Sequence, residues 1–137
     1  MTKEEVIDLI RDSGFGMLAT VEGKQPRVRP MMPYLTEDNR ILIALLGRSR
    51  TIKEAKENPM VEICYVDRKM WYCRVTGKAK ISDSKEDRQI LWDNIPMLKQ
   101  YFGGIQDPNF MLMEVEITGA VEAMTPHQKV PEKVTLD

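Results

Sequence analysis

Hydrophobic positions Val6, Ile7, Leu9 and Ile10 recur at helical spacing behind Thr2 and Glu5, a capping-box pair, and Gly14 offers a stop. From residue 15 the period shortens. "FGMLATV" (15–21) reads as a strand, and "EGKQP" (22–26) as turn chemistry. "PRVRPMMPYL" (26–35) has the Val, Met, Tyr and Leu of a strand, yet it carries Pro26, Pro30 and Pro33. Proline donates no N–H, so such a run belongs at an edge or an interruption of a sheet. Its Arg29, Met31 and Met32 keep their N–H groups, and an interrupted strand leaves backbone free to face something other than another strand.

"TEDN" (36–39) is a further turn, and "RILIALL" (40–46) is apolar almost throughout, which predicts a strand covered on both faces. "GRSRTIKEAKENP" (47–59) predicts a helix with Thr51 and Glu54 as capping box, closed by Asn58-Pro59. "MVEICYV" (60–66) and "MWYCRVTGKAKI" (70–81) form a hairpin around "DRK" (67–69). A symmetric register about Arg68 sets Cys64 opposite Tyr72 and Cys73 opposite Ile63. The thiols then lie on opposite faces, which argues against a bridge.

"SDSKEDRQILWDNI" (82–95) has Ser84 as cap and a stripe of Ile90, Leu91 and Ile95. Pro96 starts a second helical stretch that ends at Gly103-Gly104. "FMLMEVEI" (110–117) alternates, and "AVEAM" (120–124) continues it past a kink at Gly119. Residues 125–137 are polar with two prolines and are expected to form a disordered tail behind a single domain, 1–124. About six hairpin-linked strands with short helices indicate a mainly β, antiparallel barrel rather than a doubly wound sheet.

Composition narrows the function. The 137 residues carry 20 basic and 21 acidic side chains, a formal net charge of -1, which argues against nucleic acid or anionic membrane as the main partner. One histidine argues against a zinc or non-haem iron site, and two cysteines with ten methionines suit a reducing cytoplasm. No apolar run approaches spanning length.

Two regions concentrate cations beside hydrogen-bond donors: Arg27 with Arg29, and "GRSRTIK" (47–53) at a helix start. Unpaired N–H groups, a positive dipole end, Ser49, Arg48, Arg50 and Lys53 together suit a terminal phosphate monoester. The same residues read equally as helix caps and solvated cations. Trp92 on a helix stripe and Trp71-Tyr72 at a strand start are assigned to packing. Arg74 is expected to pair with an acid across the sheet. Cys73 has no base nearby in sequence, and His127 lies in the tail, so neither is a catalytic candidate.

Taken in order, "GFGMLATVEGKQPRVRPM", "ILIALL", "SRTIKEAKENPMVEICYV" and "WYCRVTGKAKI" resemble the pyridoxamine 5'-phosphate oxidase-like FMN-binding split-barrel proteins between Gly14 and Ile81. "DPNFMLMEVEITGAVEAM" resembles their last strands more loosely. The resemblance implies a six-stranded antiparallel split barrel, homodimeric, with FMN at the subunit interface. It places Arg29, Pro30, Met31 and Met32 along the flavin ring, and Leu45, Leu46, Ser49 and Arg50 around the ribityl chain and phosphate. Tyr72 and Cys73 would come from the partner subunit.

Thr51 stands where many members carry a phosphate-binding lysine, with Lys53, Arg27 and Arg48 as substitutes. Met124 stands near the place of the true oxidase's tryptophan, and the chain lacks that enzyme's substrate-phosphate signature. The resemblance therefore implies an FMN-dependent oxidoreductase or flavin reductase-like protein that passes electrons to a small acceptor, not a pyridoxamine phosphate oxidase. Rival expectations are a deazaflavin- or haem-binding relative and a non-catalytic flavin-binding or sensing dimer.

Overall fold

Helix α1 (Lys3–Asp12) starts because the Thr2 hydroxyl accepts from the Glu5 N–H while the Glu5 carboxylate accepts from the Thr2 N–H. Its stripe of Val6, Leu9 and Ile10 is buried. The computed structural model describes all residues, Met1–Asp137. Strands β1 (Gly16–Glu22) and β2 (Gln25–Met31) form a hairpin, followed by the two-residue β3 (Tyr34–Leu35) and β4 (Ile41–Leu46). Helix α2 (Arg50–Glu57) leads into β5 (Met60–Val66) and the long β6 (Tyr72–Ser82). Helix α3 (Lys85–Asn94) and a 3-10 helix (Pro96–Gln100) precede β7 (Phe110–Ile117), β8 (Val121–Met124) and β9 (Glu132–Val134).

All pairings are antiparallel, in the order β2-β1-β5-β6-β7-β4-β3, with β8 joined to β6 and β9 to β8. The result is a curled, mainly β sheet of the split-barrel kind with three short α-helices. Its strands exceed the six expected. The proline-rich run breaks into β2 and β3, the Gly119 kink separates β7 from β8, and the tail adds β9.

That kink lets one run follow β6 along its length. Gly77 faces Ile117, whereas Arg74 faces Glu122, so two extra residues bulge out around Gly119, whose φ is +80°. The residues expected to form a free tail are tied down. β9 pairs with β8, Leu136 is buried, and its carbonyl accepts from the Asn39 amide at 2.9 Å.

The main core lies inside the curl, where Leu18, Ile41, Ile43, Ile63, Val75, Met113 and Val115 meet under α1. A smaller cluster lies on the other side of β4 and β7, where Leu42, Leu112 and Phe110 pack under Leu91, Leu98 and Phe102. This explains the unbroken apolar run 41–46: alternate residues feed different cores. No helix is long and apolar enough to cross a membrane.

The β5–β6 hairpin turns later than a symmetric loop would. Asp67 accepts from the Lys69 and Trp71 N–H groups, and Met70 takes a φ of +65°. Cys64 therefore faces Arg74, and Tyr65 faces Cys73. A shift of two residues preserves parity, so the thiols still lie on opposite faces and both are free.

Candidate functional site

β2 is a sheet edge, and the prolines dictate which of its groups point away from β1. In the observed register Pro26 and Pro30 face Val21 and Met17. Neither proline has a proton to exchange, so these are the non-hydrogen-bonded pairs and their missing donors point outward. By the same alternation Arg29 and Met31 are bonded to Leu18 and Gly16. Of the N–H groups expected to stay free near the ring, those of Arg29 and Met31 are therefore spent inside the hairpin. Met32, beyond the strand end, is outside that ladder.

The end of β2, the end of β4 and the start of α2 converge on an apolar cleft of about 420 Å³. Pro30, Met31 and Met32 form one bank, and Leu45, Leu46 and Ser49 another. These six come from the sequence expectation. Met97 and Leu98 of the 3-10 helix, Tyr101 and Phe102 just after it, and Phe15 and Ala44 complete the walls and were not expected. Their signal was present in the helical stretch after Pro96, but only the fold brings that stretch across to β2.

At one end of the cleft stands the N-terminus of α2. Its cap is Ser49, whose Oγ accepts from the Thr51 N–H at 3.2 Å, rather than Thr51. Arg48 and Arg50 are exposed and form no ion pair, while Lys53 lies 4.0 Å from Glu57. Free N–H groups, a hydroxyl and two unpaired guanidiniums make this end an anion-binding environment. The cleft size falls within the roughly 300–1,000 Å³ usual for small-molecule sites.

Four expected residues serve elsewhere. Arg29 donates to Glu54 at 2.7 Å, to the Thr20 hydroxyl at 2.8 Å and to the Leu18 carbonyl at 3.2 Å. It is a structural cation rather than a free anion ligand. Arg27 pairs with Glu22 across its own hairpin. Thr51 is buried and caps nothing. Cys73 is fully buried, and burial pushes its thiol up to about 12, so it can neither touch a ligand nor act as a nucleophile.

Glu54, expected only as a capping-box acid, is also buried. Its carboxyl lies below the usual range, chiefly because the Thr20 hydroxyl donates to it at 2.6 Å and then through Arg29. Tyr72 is half-buried on the outer sheet face, its hydroxyl 3.4 Å from the Met124 sulfur, and does not line this chain's cleft. Arg74 pairs with Glu122 across the sheet, as expected.

A family model described as "Pyridoxamine 5'-phosphate oxidase like" matches residues 1–132. General stress protein 26 of Bacillus subtilis (strain 168) is 29% identical over 141 residues, covering 98% of this chain and 96% of that protein. The crystal structure of General Stress Protein 26 from Bacillus anthracis str. Sterne superposes with a TM-score of 0.80 at 25% identity, covering 96% of this chain and 95% of that one. A heme binding protein from Mycobacterium smegmatis shares the fold at a TM-score of 0.80 and 15% identity, covering 97% of this chain and 57% of that one.

Proposed function

Because the chain belongs to the pyridoxamine 5'-phosphate oxidase-like family, we propose that it is an FMN-binding oxidoreductase whose cleft between β2, β4 and α2 holds the flavin. The observation that carries this is the convergence of Pro30, Met31, Met32, Leu45, Leu46 and Ser49 on one apolar cleft, whose Ser49 caps the helix that begins with the exposed Arg50. A flat ring suits the methionine and proline bank, where sulfur and aliphatic surface exclude water. Leu45 and Leu46 flank the ribityl chain. Ser49, Arg50 and Arg48 take the phosphate, Arg50 being nearest in sequence to the helix N–H groups. Lys53 is a supplementary charge. Bound FMN supplies the electron transfer to a small acceptor.

The protein's own part is to bind, orient and keep the ring dry. No side chain of the cleft is a strong general acid, so proton delivery to an acceptor falls to solvent or to the Tyr101 hydroxyl at the rim.

A homodimer completes the site in this proposal. Val28, Met17 and Val66 are exposed apolar residues on one outer face of the sheet, which also carries Pro30, Cys64 and Tyr72. A second copy seated there would shield that face and bring its Tyr72 toward the flavin, while Cys73 stays in its own core.

The test is the absorption spectrum of protein purified from its own host, followed by FMN titration of the stripped protein. Paired flavin bands and saturable FMN binding are expected. A Soret band would redirect the site to haem, for which the only histidine, His127, stands exposed on a turn. A single near-visible band would indicate a deazaflavin. Failure to bind FMN overturns the proposal.

A further inference from the structure

β2 is the least anchored strand around the cleft. It is an edge, and most of its side chains are exposed, Val28 at 68%. Its side-chain bonds stay within its hairpin with β1, with one exception. Arg29 reaches out to Glu54 on α2. Helix α2 itself rests on β1 and β6.

The two residues occupy telling positions. Arg29 directly precedes Pro30 and Met31, the ring bank of the cleft. Glu54 lies one turn beyond Arg50, on the helix whose first residues form the phosphate bank. One carboxylate oxygen, Oε1 of Glu54, accepts from both Thr20 Oγ1 and Arg29 Nη2, and Arg29 Nη1 closes the triangle on Thr20. The Glu54 side chain is only 5% exposed and that of Arg29 22%, so water competes weakly for these bonds.

We infer that Arg29, Glu54 and Thr20 form a clamp that fixes the β2 bank against the α2 bank and so sets the span of the cofactor cleft. They are positioning residues. The ligand side of this inference rests on the FMN proposal, whereas the clamp itself rests on the geometry alone. A ligand that bridges both banks feels the clamp, and one that touches a single bank does not. FMN spans ring and phosphate; lumiflavin has the ring without the phosphate.

Two measurements test this. In a Cys64→Ser background, nitroxide labels at Gln25→Cys on β2 and Lys56→Cys on α2, both exposed and away from the proposed dimer face and phosphate bank, report the β2–α2 separation by pulsed electron resonance, Cys73 being buried and unreactive. Glu54→Gln is expected to broaden that distance distribution. Arg29→Lys, which keeps a cation beside Glu54 but loses the fork, broadens it less, and Thr20→Ser, which keeps the hydroxyl, leaves it unchanged. An unaltered distribution in both Glu54→Gln and Arg29→Lys overturns the clamp. In the second measurement, Glu54→Gln weakens FMN binding about tenfold and leaves lumiflavin affinity within about twofold. Equal loss for both ligands, or for neither, overturns the positioning role. If the parent protein binds no flavin, the FMN proposal falls, and the label distances alone decide the clamp.

Discussion

Glu54 on α2 accepts a 2.7 Å hydrogen bond from Arg29 on β2, and the glutamate is the more deeply buried partner. The two truncations are therefore unequal. Arg29→Leu strands a buried carboxylate with only Thr20 to satisfy it and is expected to cost about 3 kcal/mol, the low end for breaking a buried pair. Glu54→Leu leaves a guanidinium that can swing toward solvent and costs less. Chemical denaturation of both variants checks the order; a larger loss for Glu54→Leu would contradict it.

The same pair makes acid stability specific. The folded Glu54 carboxyl lies below its ordinary value of 4.5 because it accepts from Thr20 and Arg29. Its contribution is complete above 4.5 and is lost as pH falls through the depressed folded value. Asp38, held down by Thr36 and Arg40, and Asp107, held down by the Gly103 and Asn109 N–H groups, act in the same direction. Glu54→Gln should flatten, without abolishing, the fall in stability below pH 4.5. Equal acid slopes would show that Glu54 takes up no extra proton on unfolding.

Tyr65 is fully enclosed, and its hydroxyl has no hydrogen-bond partner. An unsatisfied buried hydroxyl carries a desolvation cost with no compensating bond. Tyr65→Phe is thus expected to leave stability unchanged or raise it by up to about 1 kcal/mol. A clear loss in thermal unfolding would reveal a buried water bonded to that oxygen.

Residues 125–137 belong to the folded unit. Leu136 is 3% exposed, β9 pairs with β8, and Glu132 receives the N-terminal ammonium at 3.1 Å. Deletion after Met124 removes a buried leucine worth about 2 kcal/mol together with the β9 ladder. A lowered melting temperature and faster hydrogen exchange in β8 are expected. A truncated chain as stable as the full one would show that this segment contributes nothing.

At the α2 start, cap and phosphate roles separate by substitution. Ser49→Ala should cost about 1 kcal/mol as a lost cap and also weaken FMN. Arg48→Ala with Arg50→Ala should weaken FMN sharply while leaving stability nearly intact, since neither arginine forms an ion pair. Unchanged FMN affinity in the double arginine variant, read by flavin fluorescence, would move the phosphate elsewhere.

Much of this molecule is determined by short-range pattern. The Thr2–Glu5 box starts α1, alternation defines β1, β5 and β7, and the apolar run at 41–46 announces a strand shared by two cores. Proline spacing is also local: Pro26 and Pro30 are four apart, so both fall on the outward side of one edge strand. Pattern alone gave an interrupted strand beside a basic helix start; that Pro30 to Met32, Leu45, Leu46 and Ser49 share one cleft was an expectation of the family resemblance.

Other features needed the tertiary structure. Whether Arg29 binds an anion or an internal carboxylate depended on which helix was laid over β1, within reach of β2, and Glu54 lies 25 residues away in sequence. Cys73 and Tyr72 alternate in the same strand, but only the curl of the sheet decided which was sealed in the core. The turn at Asp67 shifted a register by two because side-chain acceptors compete with the backbone. β9 formed because β8 offered an unpaired edge and the core had room for Leu136. Hydrophobic periodicity reports contacts within a few residues; which surfaces meet, and hence which charges are neutralised, is a property of the packed chain.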